Sequence, residues 1–160
     1  VNHYASGSWT AGGALTTAVK YATGVGTQTA GLVLSGATGP DENTSRITTV
    51  QEYDGSSWTA AASVNNARNG SGSCGTTALA LIYGGRFNSP PNPTNIQAFT
   101  ETYDGTSWAA TGTLNIARDY PGGAGTNNTS ALAWAGSPTP GAQVTETFTE
   151  GAAAQTITTS

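Results

Sequence analysis

The residue types that carry most enzyme chemistry are scarce in this sequence. His3 is the only histidine and Cys74 the only cysteine among 160 residues. Ser-His-Asp and Cys-His catalysis both require a histidine beside the nucleophile, and zinc or copper centres require several histidine or cysteine ligands. No two of the nine carboxylates are set apart as a pair for glycoside hydrolysis. The sequence therefore predicts that the protein is not an enzyme and has no cofactor or metal.

One acidic segment is compatible with calcium, which binds oxygen ligands alone. It contains Asp41, Glu42 and Asn43. Loops are also rich in Asp and Asn, because these side chains hydrogen-bond to their own backbone. We therefore favour an ordinary polar loop over a calcium site.

Aromatic residues recur at a fixed interval. A tyrosine stands five residues before a tryptophan three times: Tyr4 and Trp9, Tyr53 and Trp58, Tyr103 and Trp108. The tryptophans are 49 and then 50 residues apart. Further landmarks follow at nearly the same period, namely a basic residue (Lys20, Arg68, Arg118), a glycine (Gly26, Gly75, Gly125) and an apolar run ending at glycine (Gly36, Gly85, Gly136). A period of this length indicates a repeat architecture.

Each repeat predicts four short strands. The first follows the basic residue, as in residues 69–74, and the second is the apolar run, as in residues 79–83, which we expect to be buried on both faces. The third strand ends at the tyrosine and the fourth begins at the tryptophan. Between them, Asp54-Gly55 and Asp104-Gly105 predict hairpin turns, because such turns need the positive φ that Asp-Gly supplies.

The order of these landmarks resembles the kelch repeat. Residues that carry the resemblance are Ile82-Tyr83-Gly84-Gly85, Glu101-Thr102-Tyr103-Asp104, Trp108 and Ala117-Arg118. It implies four-stranded antiparallel blades of a β-propeller. Residues 51–58 and 26–30 are also similar to repeat arrays in tail and fibre proteins of bacteriophages, especially marine phages and cyanophages. That second resemblance implies an extracellular or virion location.

We expect one all-β repeat domain over residues 1–160. Its units are approximately residues 10–58, 59–108 and 109–149, with a partial strand at 1–9 and a closing tail at 150–160. Val144 to Phe148 is expected to form a third strand with Phe148 in the tyrosine position. Because propellers close with four to eight blades, about three blades predict a partial propeller or half of a six-bladed ring. The chain is then a homo-oligomer or part of a longer chain.

Several repeated residues are expected to be structural. Tryptophans bury about 150–250 Å² each, so Trp9, Trp58 and Trp108 are expected to pack between units, and Trp134 to lie in the core. Arg68 and Arg118, with Lys20, are expected to pair with a carboxylate or backbone carbonyls of a neighbouring unit, Glu52 and Glu101 being candidate partners. The alternative is a basic ring at one end of a channel.

The loop after the apolar strand differs between the repeats. Residues 37–43, 86–93 and 137–141 share no pattern, and repeat scaffolds commonly bind ligands through such insertions. Unconstrained drift of loop sequences is the other explanation. The candidate ligand-binding residues in these loops are Asp41, Glu42, Arg86, Phe87 and Asn88.

Composition excludes several partners. The net charge is −4 with only five basic residues, which argues against binding of nucleic acid. The sequence has no run of about 18 apolar residues, so it predicts no membrane insertion. The predicted function is a non-enzymatic extracellular or virion-surface module that recognises a glycan or a protein receptor on a cell surface. The alternative is a purely architectural subunit of a fibre, shell or appendage, and a glycan hydrolase ranks last.

Overall fold

The computed structural model describes residues 1–87, 95–138 and 143–150, and these form an all-β fold. The all-β prediction is confirmed. Asn88 and the predicted tail beyond residue 150 lie outside the described residues. No helix within the described ranges is long and apolar enough to cross a membrane. The strands are β1 (Asn2–Ala5), β2 (Ser8–Ala11), β3 (Thr23–Gly26), β4 (Gly31–Leu34), β5 (Val50–Tyr53), β6 (Trp58–Ala61), β7 (Arg68–Asn69), β8 (Gly72–Gly75), β9 (Ala80–Tyr83), β10 (Arg86–Phe87), β11 (Asn95–Ile96), β12 (Thr100–Tyr103), β13 (Trp108–Thr111), β14 (Gly122–Ala124), β15 (Ser130–Trp134) and β16 (Glu146–Thr149).

The strands form several small antiparallel sheets. The first sheet has the order β3-β4-β5-β6, the second has the order β8-β9-β12-β13, and the third has the order β14-β15-β16. The hairpin β1-β2 precedes them, and a short three-stranded sheet, β7-β10-β11, lies beside the second. None of these sheets closes on itself among the described residues.

The Tyr-to-Trp segment has the same register in each copy. Tyr53 pairs with Trp58, and Tyr103 pairs with Trp108, across a turn whose aspartate accepts backbone hydrogen bonds. Gly55 in the first of these turns has a φ of 98°, which glycine adopts without a steric penalty. The predicted Asp-Gly hairpins are therefore confirmed.

The third sheet repeats the register of the second, with three strands among the described residues. Phe148 pairs with Ala131 as Tyr103 pairs with Ala80. The expectation that Phe148 occupies the tyrosine position is confirmed by this pairing.

Two apolar seams join neighbouring sheets. The first contains Leu32 and Val50 of the first sheet with Ile82 and Trp108 of the second. The second contains Leu81 and Tyr83 of the second sheet with Ala133 of the third. The first strands of successive sheets also contact each other, β3 with β8 and β8 with β14. Successive sheets therefore stack face to face, with their first strands side by side.

The predicted first strand of a unit is divided by a glycine. Residues 68–69 pair with β10 and residues 72–75 pair with β9, because Gly70 has a φ of 63° and turns the backbone between them. The expectation of one continuous strand over 69–74 is corrected accordingly.

Burial of the apolar strand depends on its position in the array. Every residue of β9 is buried because it lies between two sheets, whereas β15 alternates between buried and exposed residues. Trp134, expected in the core, is 38% exposed. Its counterpart Tyr83 is covered by the third sheet, but no described residues cover the corresponding face of β15.

Candidate functional site

The two arginines at the repeated position form buried ion pairs. Arg68 pairs with Glu101, and Arg118 pairs with Glu146, with all four side chains at most 7% exposed. Arg68 also donates to the carbonyl of Phe99. Pairing of arginine with a carboxylate was the structural alternative to a basic ring, and Glu101, not Glu52, is the partner of Arg68. Both ion pairs lie within one unit, so the expected pairing with a neighbouring unit was wrong.

Lys20 does not occupy the arginine position. It bridges to Ala37 as Asn69 bridges to Arg86 and as Asp119 bridges to Ser137, so it corresponds to the residue after the arginine. Its ammonium group donates to the carbonyl of Pro40. The predicted grouping of Lys20 with the arginines was wrong by one residue.

The tryptophans differ in exposure along the array. Trp108 and Trp58 are 7% and 8% exposed, whereas Trp9 is 68% exposed and Tyr4 56%. The indole of Trp108 donates to the carbonyl of Ala62 at 2.9 Å. Trp108 packs between the first and second units, as expected. The expectation that Trp9 does the same is wrong, because its ring is exposed among the described residues. The three rings therefore do not form a common ligand platform.

In the acidic loop of the first unit, the side-chain oxygens of Asp41 and Asn43 accept hydrogen bonds from nearby residues of the protein. The Asp41 carboxylate accepts hydrogen bonds from the Asn43 backbone at 2.8 Å and the Thr44 hydroxyl at 3.2 Å. The backbone hydrogen bond holds the pKa of Asp41 below its ordinary value. The Asn43 side-chain oxygen accepts from Arg46 at 3.0 Å. Within the described ranges, no group of three or more His, Cys, Asp and Glu residues could hold a metal ion.

Arg46 ties this loop to the second unit. Its guanidinium donates to the side-chain oxygen of Asn69 at 2.9 Å and to the carbonyl of Phe87 at 2.9 Å. Arg46 is 5% exposed, and its burial, followed by repulsion from Arg86, lowers its pKa. The variable loops of two units are thus held against one another.

The two described residues of the second variable loop differ in exposure: Phe87 is buried and Arg86 is partly exposed. Phe87 is buried, packs on Phe99 at 5.4 Å between ring centroids, and lies under the guanidinium of Arg68. Its ring is therefore part of the core and is not available to a ligand. Arg86 forms an ion pair with Asp119 of the third unit and keeps a side chain that is 25% exposed.

Two exposed tyrosines complete this cluster, and the sequence analysis did not single them out. Tyr21 and Tyr120 are 44% and 47% exposed, and their rings meet edge to face with centroids 6.4 Å apart. The Arg86 guanidinium lies 5.8 Å from the Tyr120 ring centroid, and Lys20 lies 5.5 Å from that of Tyr21. A hydrogen bond with Glu42 raises the pKa of Tyr21.

The tyrosines occupy a repeat position that favours glycine. Tyr21, Gly70 and Tyr120 are equivalent, with φ values of 56°, 63° and 51°. They are linked in series, since the Gly70 amide donates to the Tyr21 carbonyl and the Tyr120 amide to the Gly70 carbonyl. The left-handed conformation costs a residue with a side chain about 1–2 kcal/mol. A comparison of the three repeats at this position, Tyr-Gly-Tyr, was the available sequence signal.

We call the resulting surface the tyrosine face. It comprises the two tyrosines and the charged residues around them. Three of these residues are cationic and three are carboxylates, so the surface has no net charge. Its members are Tyr21, Tyr120, Lys20, Arg46, Arg86, Asp41, Glu42 and Asp119.

His3 and Cys74, the histidine and cysteine considered for catalysis, lie outside the tyrosine face. The His3 ring hydrogen-bonds to the Tyr53 hydroxyl at 2.7 Å. Cys74 is buried in the second seam, and burial raises its pKa to about 11. A cavity beside Tyr83 and Leu114 has a volume of about 40 Å³, far below the roughly 300 Å³ of a small-molecule pocket. None of these places groups for catalysis.

Comparison with known proteins defines the fold and no more. No protein-family model matches the chain, and no curated protein matches it. The solved structure of YjhT is similar over 82% of this chain, with a TM-score of 0.64 and 18% sequence identity. At that identity the similarity concerns the fold alone. The chain spans 42% of the YjhT chain, which is less than half its length. The protein belongs to the all-β proteins built from repeated small antiparallel sheets.

Proposed function

We propose that this protein is a non-enzymatic recognition module, built from propeller-like blades of the kelch type, that binds a surface receptor through its tyrosine face. The observation that carries the proposal is the convergence of the variable loops. Arg46, just after the first loop, donates to Asn43 of that loop and to Phe87 of the second. Arg86 of the second loop pairs with Asp119, whose backbone is hydrogen-bonded to Ser137 of the third. Loops that differ in sequence yet meet on one rigid scaffold are typical of binding surfaces.

The propeller-like arrangement is supported by how the sheets stack. Two faces of the second sheet are covered by its neighbours, and the first strands of the three sheets are adjacent. Blades of a propeller are four-stranded antiparallel sheets around a central axis. Tyr21 and Tyr120, from the first and third units, meet beside Gly70 of the second, which supports a curved array. We place the protein on an extracellular or virion surface on the basis of its repeat pattern.

Receptor attachment can be tested with labelled protein on intact bacterial cells. The decisive variant is Glu42→Lys, because Glu42 belongs to the tyrosine face. The matched control is Glu52→Lys, which makes the same charge change at an exposed position on β5. We expect Glu42→Lys to weaken attachment about tenfold, equivalent to about 1.4 kcal/mol, and Glu52→Lys to leave it unchanged.

Pretreatment of the cells identifies the receptor class. Periodate destroys the vicinal diols of glycans, whereas protease removes surface proteins. Loss of attachment after one treatment and not the other assigns the receptor. Equal attachment of wild-type protein and Glu42→Lys would remove the tyrosine face from the proposal.

A second candidate function, assembly into a larger array, is favoured by the exposed ends. Trp9 is 68% exposed, whereas its equivalents Trp58 and Trp108 are buried, Trp108 in the seam with the preceding unit. At the other end, an open groove of about 380 Å³ is lined by Leu132 and Phe148. Sedimentation of wild-type protein and Trp9→Ser tests it: assembly predicts a larger wild-type particle that the substitution dissociates.

A further inference from the structure

The strongest unassigned feature is the pair of tyrosines in the left-handed conformation. All three equivalent residues have a positive φ. The second unit has Gly70 there, whereas the first and third units have tyrosines, Tyr21 and Tyr120. Residues held in this region against their steric preference are concentrated at functional sites. Both rings remain nearly half exposed, so about half of the surface of each ring is open to a ligand.

From this we propose that Tyr21 and Tyr120 form the binding platform for the ring of a neutral saccharide. The proposal rests on the proposed recognition function and names the ligand of its tyrosine face. Two exposed aromatic rings at 6.4 Å, edge to face, offer apolar area next to hydroxyl groups. A pyranose ring has an apolar face of C–H groups and a rim of hydroxyls, which matches this combination.

The surrounding charges favour a neutral ligand. Lys20, Arg46 and Arg86 are balanced by three carboxylates, and Arg86 is already paired with Asp119. An anionic ligand would meet Glu42 and a cationic one would meet Lys20, both beside Tyr21. A neutral polyol instead uses both signs, because its hydroxyls donate to carboxylates and accept from ammonium and guanidinium groups.

A buried acceptor belongs to the same cluster. Asp119 is fully buried, and its Oδ1 atom has no hydrogen-bond partner among the described residues. Its other oxygen is bound by Arg86, whose guanidinium lies over the Tyr120 ring. Buried polar atoms are nearly always hydrogen-bonded, so one without a partner requires an explanation. An ordered water between Asp119 and a saccharide hydroxyl would satisfy it.

The test separates binding from folding by reverting the tyrosines to the residue that the middle repeat carries. Tyr21→Gly and Tyr120→Gly remove the rings and relieve the backbone strain. Saturation-transfer NMR with neutral disaccharides (maltose, cellobiose, lactose and mannobiose) measures binding, and thermal unfolding measures stability. We expect each glycine variant to bind about tenfold more weakly or worse, with an unfolding temperature equal to or above that of wild type.

Two further variants act as controls. Tyr120→Phe keeps the ring and should retain most of the binding. Tyr4→Ala removes a more exposed tyrosine on the β1-β2 hairpin, outside the tyrosine face, and should leave binding unchanged.

The contradicting outcomes are distinct. A lower unfolding temperature for both glycine variants would make the rings structural and overturn the inference. Unchanged saccharide binding in the glycine variants would overturn the saccharide inference and leave the recognition function intact. Wild-type protein that binds only charged glycans or only a protein would have the same two consequences. Wild-type protein that attaches neither to these sugars nor to cells would overturn both.

Discussion

The carboxylate of Glu101 on β12 lies against the guanidinium of Arg68 on β7, and both side chains are buried. The carbonyl of Arg68 accepts a hydrogen bond from the Gly36 amide of the preceding unit. The side chain of Arg68 therefore stabilises its own unit, and its backbone carbonyl links that unit to the preceding one. Arg118 repeats the arrangement with Glu146 and the Gly85 amide.

The first unit shows how this pair can be replaced. Val19 and Gln51 stand where the second unit has Arg68 and Glu101, and the Gln51 oxygen accepts from the Thr17 backbone as Glu101 accepts from Asn65. Glu101→Gln alone should cost about 3–5 kcal/mol of unfolding free energy, because it leaves the buried Arg68 charge without a partner. Urea unfolding measures the loss.

The double variant Arg68→Val with Glu101→Gln copies the first unit. We expect it to recover at least about 1 kcal/mol relative to Glu101→Gln alone, since the uncompensated charge is gone. A double variant less stable than Glu101→Gln would show that Arg68 stabilises the protein without needing the carboxylate.

The three repeat tryptophans should differ sharply in their contribution to stability. Trp108→Ala should cost about 3–5 kcal/mol. Trp58→Ala should cost somewhat less, because the Trp108 indole donates to the Ala62 carbonyl whereas the Trp58 indole has no partner among the described residues. Trp9→Ala should cost under about 0.5 kcal/mol in the single chain, since its ring is exposed. Chemical unfolding of the three variants measures the order. A loss for Trp9→Ala equal to the other two would contradict it.

Acid stability should depend on the hairpin-turn aspartates. Hydrogen bonds from the backbone of Ser57 and Ser107 hold the pKa of Asp54 and Asp104 below the ordinary 3.8. A carboxyl whose pKa is depressed in the folded state stabilises the fold above its unfolded pKa, and this contribution is lost as the pH falls through the folded value. Thermal unfolding between about pH 5 and pH 2 should therefore show a steep acid decline.

Asparagine at both turn positions provides the matched comparison. Its side-chain oxygen can still accept from the turn backbone but does not titrate. Asp54→Asn with Asp104→Asn should be less stable than wild type near neutral pH and should show a shallower decline below about pH 4. Identical acid profiles for the two proteins would remove the turn aspartates as the cause.

Cys74 should be unreactive in the folded protein. Its side chain lies in the second seam, and burial raises its pKa to about 11, so the reactive thiolate is rare at neutral pH. We expect maleimide labelling only after unfolding in urea. Rapid labelling of the native protein would show that the seam between the second and third sheets opens.

The period in the sequence was sufficient to predict the sheets, because turn chemistry and apolar runs are local signals. Asp54-Gly55 needs no tertiary information to form a hairpin turn, and the register of Tyr53 with Trp58 follows from it. The identity of the arginine's partner was less accessible. Neighbouring positions on a strand point to opposite faces, so Glu52 and Glu101 looked alike in sequence although only Glu101 points inward.

The features missed in the sequence depend on the position of a unit in the array and on contacts between units. Trp134 has a buried counterpart, yet it is exposed because its face has no neighbouring sheet among the described residues. Tyr21 and Tyr120 are about a hundred residues apart in sequence and meet only through contacts between units, beside Gly70 of the second unit. Lys20 was matched to the arginines by charge, whereas backbone pairing moves it by one position.

Amide hydrogen exchange at the unit junctions tests the central claim, that equivalent positions join successive units in the same way. The Gly36 and Gly85 amides donate to the arginine carbonyls, and the Gly70 and Tyr120 amides link the units in series. We predict that all four are protected to a similar degree, far above the amides of the exposed β1-β2 hairpin. Exchange at either junction as fast as in that hairpin would contradict the claim.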